Sequence, residues 1–209
     1  MNPSIFFFLC SSFADVAPLF EQACPIELQG KVVTFIPTAS TPESYKEYVK
    51  LGQKSLEGLG LKVLPLDVAT ASSEEIRSTL SEGDLIYVSG GNTFYLLQEL
   101  KRKAVDKLIQ EEIEGGKPYI GESAGAMILA PSIEYVQLMD ETHVASELAS
   151  FAALGLISRY PLPHYRSFPF ENVGEEILAT YGEKLPLVPI TNAQAIIVRG
   201  GELTIVTKE

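Results

Sequence analysis

The sequence predicts an α/β fold: a parallel-core sheet with helices on both faces, closed by a C-terminal hairpin. Three observations carry that expectation. Short apolar runs alternate with amphipathic helical stretches through the first two-thirds of the chain, as parallel strands joined by crossover helices require. Residues 32–37 form a run that is apolar almost throughout, the mark of a strand covered on both faces. The last two strands meet at Gly200–Gly201, a pair suited to a tight hairpin turn. At 209 residues the chain fits one compact domain, 1–209, with no linker and no internal repeat.

Taken in order, residues 5–10 read as a strand and 15–28 as a helix ending at Gly30. After the 32–37 strand, a helix from Pro42 to about Leu59 carries Tyr45, Tyr48, Val49, Leu56 and Leu59 on one face. Residues 62–66 give a strand, 73–80 a capped helix and 85–88 a strand. Residues 93–113 are helical, with a break near Lys103 and a stop at Gly115–Gly116. Residues 119–120 are the next strand. Strands over 133–139 and 157–162 follow, then a helix over 170–181 and strands over 187–190, 195–198 and 203–206.

Bulk properties narrow the function. A net charge of −11 argues against a nucleic-acid partner, which needs clustered Lys and Arg. No run reaches membrane-spanning length, and the apolar 5–10 stretch lacks the basic flank of a signal peptide. Cys10 and Cys24 have no paired-motif spacing, so a reducing, cytoplasmic location is expected. The two histidines, His143 and His164, have no metal-binding spacing, and no phosphate-binding glycine loop with its lysine appears. Neither a metal nor a cofactor is therefore expected.

The chemistry concentrates in Y-I-G-E-S-A-G-A, residues 119–126. A short apolar strand runs into Ser123, bracketed by Gly121 and Gly125, with small residues that can open a helix. That is the layout of a nucleophile elbow, which lifts the serine hydroxyl clear of the sheet. A serine needs a base to take its proton. His164, in Y-P-L-P-H-Y at a strand end, suits that role better than His143 in the charged D-E-T-H segment. The plainer alternative is a histidine packed among aromatic neighbours. The segment V-S-G-G-N-T-F-Y-L-L, residues 88–97, ends a buried strand in two glycines before a helix. Both strands finish at the carboxyl edge of the sheet, where ligands bind. The Gly91 and Ala124 N–H groups are thus candidates for an oxyanion hole, against the simpler reading of a glycine turn capped by Asn92 or Thr93.

In this order and spacing, G-G-N-T-F-x-L-L, I-G-x-S-A-G-A and P-H-[aromatic] resemble the peptidase E family of serine peptidases, whose relatives include cyanophycinases. The similarity also takes in the F-I-P-T-A strand and the E-Y helix after it. It implies a glutamine-amidotransferase-like (flavodoxin-like) three-layer sandwich and a Ser-His-Glu arrangement acting on short peptides. Ser123 matches the nucleophile, His164 the base, Gly91 and Ala124 the oxyanion donors, and Asn92 an asparagine of the substrate pocket.

Two positions depart from the family. Where it has L-P-E-G, this chain reads I-T-N-A, so Asn192 stands at the glutamate position. An asparagine can orient the histidine, as in Cys-His-Asn peptidases, but supplies no charge. Asp140 and Glu141 are the nearest acids that could substitute. Aspartyl selectivity also needs a cation, and Arg166 does not align with the family's arginine. The leading expectation is a serine peptidase of dipeptidase type. A catalytically weakened peptide- or amino-acid-binding homologue is the alternative. An α/β-hydrolase esterase fits poorly, because only 41 residues separate Ser123 from His164. Strand edges at 133–139 and in the hairpin offer surfaces for a homodimer.

Overall fold

The computed structural model describes residues 5–208. Strand β1 (Phe6–Cys10) is buried along its whole length, and its side chains feed two separate cores. Phe6, Phe8 and Cys10 join one cluster; Phe7 and Leu9 join the other. That alternation is the period-2 geometry of a strand with a helical layer on each face. Helices α1 (Phe13–Ala23) and α2 (Glu47–Gly58), separated by β2 (Val32–Ile36), cover the first face with Val16, Phe20 and Leu56. Beyond β3 (Lys62–Pro65), helix α3 (Ser73–Glu82) packs Ile76 and Leu80 on the second face. Strand β4 (Leu85–Val88) separates α3 from α4 (Thr93–Arg102) and α5 (Val105–Glu114), which add Leu96, Leu100, Ile109 and Ile113. The break anticipated near Lys103 falls at Ala104, whose φ of +54° interrupts the helical backbone.

Strand β5 (Tyr119–Glu122) leads through Ser123 into the one-turn helix α6 (Ala124–Met127). The later elements are β6 (Tyr160–Leu162), α7 (Glu171–Tyr181), β7 (Leu187–Pro189), β8 (Gln194–Arg199) and β9 (Glu202–Thr207). The main sheet runs β3-β2-β4-β5-β1-β8-β9. Its first five strands are parallel, and β8 and β9 are antiparallel. The α/β sandwich with a C-terminal hairpin is therefore as the sequence implies. Gly200 and Gly201 both have positive φ, the conformation a two-residue hairpin turn demands. Strand β9 is the outer edge of the sheet.

Several boundaries differ. Residues 133–139 are not a strand but a 3₁₀ turn, Glu134–Leu138. Its Val136 N–H bonds the Ile133 carbonyl and its Met139 N–H the Val136 carbonyl. At three residues per turn Ile133, Val136 and Met139 fall on one side, facing a third core with Phe94, Met127 and Leu162. The apolar residues of this stretch gave no clear period, and packing selected the turn. The 157–162 strand contracts to β6, which pairs with β7 in a separate two-stranded sheet. Helix α1 ends at Ala23, before Pro25, and α2 starts only at Glu47. Tyr45 therefore precedes the helix and is 66% exposed, not part of an apolar face.

Tight backbone approach fixes the join between β4, β5 and α6. A Cβ on Gly125 would lie 2.2 Å from the Val88 carbonyl oxygen, and one on Gly121 would lie 2.5 Å from the Gly125 carbonyl oxygen. Both collisions are with backbone, which cannot swing aside. Gly125→Ala is expected to destabilise the fold by about 3 kcal/mol, the upper range for overpacking; chemical denaturation of the variant measures this.

Candidate active site

The elbow at Ser123 has the backbone that its sequence implies. Ser123 has φ +48° and ψ −105°, a strained conformation for a residue with a side chain. Three contacts hold it there. Its N–H donates to the Cys10 carbonyl at 2.9 Å, extending the β1–β5 pairing by one bond. The Tyr119 hydroxyl reaches from the start of the same strand to donate to the Gly125 carbonyl at 2.7 Å. The missing side chains of Gly121 and Gly125 let α6 close against β4 and β5. The reversal leaves Ser123 partly exposed above a buried floor.

His164 arrives from a different part of the chain, two residues beyond β6. Its φ is +59°, a region that histidine enters more readily than most residues. Its N–H donates to Ser11 Oγ at 2.9 Å, and its ring stacks on Phe170 with centroids 4.9 Å apart. The result places Nε2 3.1 Å from Ser123 Oγ and Nδ1 2.9 Å from Asn192 Oδ1. With the Asn192 oxygen accepting, Nδ1 carries the proton and Nε2 turns its lone pair to the serine. Burial is the main influence on the ring and holds its pKa below the usual value, with the Asn192 bond opposing. His143, by contrast, is exposed beside Glu141.

The Gly90–Gly91 turn closes the third side. Gly91 has φ +130°, and a Cβ there would stand 2.2 Å from the Ala39 carbonyl oxygen, so only glycine fits. Among the described residues, neither the Gly91 nor the Ala124 N–H donates to a protein acceptor. Asn92 takes the capping role of the simpler reading. Its Oδ1 caps α4 by accepting from the Tyr95 N–H at 2.9 Å, and its Nδ2 donates to the Glu141 carbonyl at 2.9 Å. Both ends of the amide serve the fold, and the residue is 4% exposed.

A serine elbow, a histidine within hydrogen-bond reach and two unpaired amides recur in unrelated hydrolases, so comparison with known proteins decides the lineage. Residues 8–206 match the model of peptidase family S51. The chain belongs to that family. Among its relatives, an uncharacterized peptidase of Listeria innocua is 54% identical over 196 residues, covering 94% of this chain and 93% of that protein. Peptidase E of Pasteurella multocida is 34% identical over 171 residues, covering 81% of this chain and 70% of that protein. In three dimensions the chain superposes on the crystal structure of a protein assigned as peptidase E from Listeria monocytogenes. The TM-score is 0.94 and the identity 50%, over 98% of this chain and 99% of that one.

The acids of this S51 protein are placed where the sequence did not foretell. Asp140, considered as a substitute partner for the histidine, instead accepts from the Thr93 N–H at 2.8 Å and the Thr93 hydroxyl at 2.6 Å. Burial pushes its pKa up to about 6. Glu141 is exposed beside His143. Arg166 pairs with Glu175 on the surface of α7 at 3.1 Å, which accounts for it without a substrate carboxylate.

Two residues were missed from the sequence. Ser11, 1% exposed, accepts from the His164 N–H and lies within donating distance of the Ile190 and Thr191 carbonyls. One hydroxyl thus ties the histidine segment to the asparagine segment at the end of β1. Its signal, a polar residue directly after an apolar strand, is too common to stand out. Glu122, 3% exposed and next to the nucleophile, accepts from the Phe13 N–H at 2.8 Å and the Tyr87 hydroxyl at 2.7 Å. A longer contact of 3.5 Å reaches the Gly90 N–H. Tyr87 is fixed in turn by stacking on Phe35 at 5.0 Å. A charged residue inside an apolar elbow strand was the available clue.

Burial raises the Glu122 pKa above its ordinary value, despite the bonds that oppose it. The native protein then holds this proton more tightly than the unfolded chain, so Glu122 subtracts stability as pH rises through its folded pKa. Removing the carboxyl altogether is worse, because the Phe13 N–H and Tyr87 hydroxyl lose their acceptor. Glu122→Ala is expected to cost about 3 kcal/mol, measurable by urea denaturation at neutral pH.

Proposed function

We propose that this S51 protein is a serine peptidase of dipeptidase type, which cleaves short peptides through an acyl-enzyme on Ser123. The observation that carries the reading is the continuous contact from Ser123 Oγ to His164 Nε2 and from Nδ1 to Asn192 Oδ1, at 3.1 and 2.9 Å. Ser123 Oγ attacks the substrate carbonyl as its proton passes to Nε2. The Gly91 and Ala124 N–H groups, unpaired in the protein, receive the negative charge that develops on the carbonyl oxygen. When the intermediate collapses, the C–N bond breaks and the imidazolium returns its proton to the leaving amine. Water, deprotonated by Nε2, then attacks the ester carbonyl, and the departing Oγ recovers the proton.

Asn192 fixes the tautomer that this sequence of transfers needs, as asparagine does in Cys-His-Asn enzymes. It brings no charge to the imidazolium, so the base is weaker than one backed by a carboxylate. This also favours a second reading, a weakened homologue that binds peptides without cleaving them. A fluorophosphonate probe separates the two: labelling confined to Ser123 supports the peptidase, and an unlabelled folded protein supports the binder.

Three outcomes are expected. Ser123→Ala should lower hydrolysis of a dipeptide panel by several powers of ten, and unchanged turnover would remove Ser123 from the mechanism. Activity requires neutral His164, whose pKa burial holds below about 6.5. The acid limb of kcat/KM should therefore have its midpoint below that value. Asn192→Asp places a negative charge against Nδ1 and should move the midpoint upward by about one unit, as read from pH–rate profiles.

A further inference from the structure

Among the described residues, one buried side-chain oxygen or nitrogen has no hydrogen-bond partner: the hydroxyl of Tyr48. Buried polar groups are almost always satisfied, and one left bare calls for an explanation. Its position supplies one. Tyr48 lies in the first turn of α2, four residues before Gly52 and on the same helical face. A Cβ on Gly52 would fall 2.6 Å from the Tyr87 hydroxyl and 3.8 Å from Glu122 Oε2, so this face of α2 rests on the carboxyl edge of the sheet. One turn earlier, the same face reaches the elbow. A carbon placed on Gly90 would be 3.5 Å from Tyr48 Cε2 and 3.2 Å from Ser123 Cβ. Glycine at position 90 thus puts no side chain between the tyrosine ring and the serine, which both lie close to it.

Nothing in the protein uses the hydroxyl, and packing alone would be served as well by phenylalanine. On the reading of Ser123 as nucleophile, we infer that Tyr48 is a substrate-positioning residue whose hydroxyl hydrogen-bonds the acyl-side residue of a peptide held at Ser123. Burial first, and then the acidic Glu43, Glu122 and Asp140 around it, push the phenol's pKa up and keep it protonated. An acyl-side residue that is neutral or cationic fits these surroundings, whereas an aspartyl carboxylate would meet like charge. Arg166, the cation considered from the sequence, pairs with Glu175 and is not among the charges bearing on the phenol.

The test compares wild type and Tyr48→Phe on Lys-, Ala- and Asp-p-nitroanilides, with thermal unfolding and the rate of fluorophosphonate labelling measured in parallel. The variant should unfold at the same or a slightly higher temperature, since it loses a hydroxyl without a partner. Its kcat/KM on the Lys and Ala substrates should fall about tenfold, while labelling by the probe, which has no acyl-side residue, stays within twofold. In wild type the Asp substrate should be the poorest. Equal kcat/KM in the two proteins would overturn the inference, and so would a labelling rate that falls in step with hydrolysis, because Tyr48 would then act through Ser123. An Asp substrate turned over best would overturn it too. Wild type that neither labels nor hydrolyses would instead reject Ser123 as nucleophile, and this inference with it.

Discussion

The backbone reversal at Ser123 is the constraint on which the rest of the site depends. A residue with a side chain is held at positive φ, a conformation costing on the order of 1–3 kcal/mol. The neighbouring glycines make it sterically possible, because α6 can approach the β4 and β5 backbones only where no Cβ intervenes. The Cys10 and Tyr119 hydrogen bonds then hold the turn from either side. Loosening any of these would lower the hydroxyl toward the sheet and away from the imidazole. The same turn leaves the Ala124 amide without a helical partner, so a single strained residue sets both the hydroxyl and one hydrogen-bond donor.

Around that fixed point the other groups are assembled by small polar anchors. The Ser11 hydroxyl fastens the His164 backbone to the carbonyls of Ile190 and Thr191. The Ser167 hydroxyl accepts from the Asn192 N–H at 3.3 Å. The line from Ser123 through His164 to Asn192 is therefore braced through main-chain contacts. Neither buried carboxyl near the elbow, Glu122 or Asp140, is hydrogen-bonded to the histidine. Each of those carboxyls is buried and satisfied by donors of its own, the first at Phe13 and Tyr87, the second at Thr93.

Legibility followed the range of the interactions. Features set by a few consecutive residues could be read directly. The glycine-bracketed serine, the capped helix over 73–80, the break near Lys103 and the Gly200–Gly201 hairpin are all local. Features set by packing were misread. Residues 133–139 are apolar enough to be taken for a strand, yet a third core draws Ile133, Val136 and Met139 to one side of a 3₁₀ turn. For Asn92 the sequence offered both a pocket role and a cap, and packing adds a bond it could not show, from Nδ2 to the Glu141 carbonyl.

By itself, the sequence determined the layered α/β architecture, the family and the three segments that meet at the site. Hydrophobic period, glycine placement and strand-end motifs are local properties written along the chain. Only the tertiary structure decided which polar groups are engaged and which remain free. It gave Asn192 to the histidine ring and Asp140 to Thr93, turned Arg166 outward to Glu175, and left the Tyr48 hydroxyl bare beside Ser123. The physical reason is that a hydrogen bond depends on a few tenths of an ångström between atoms far apart in sequence, and only the packed chain sets that distance.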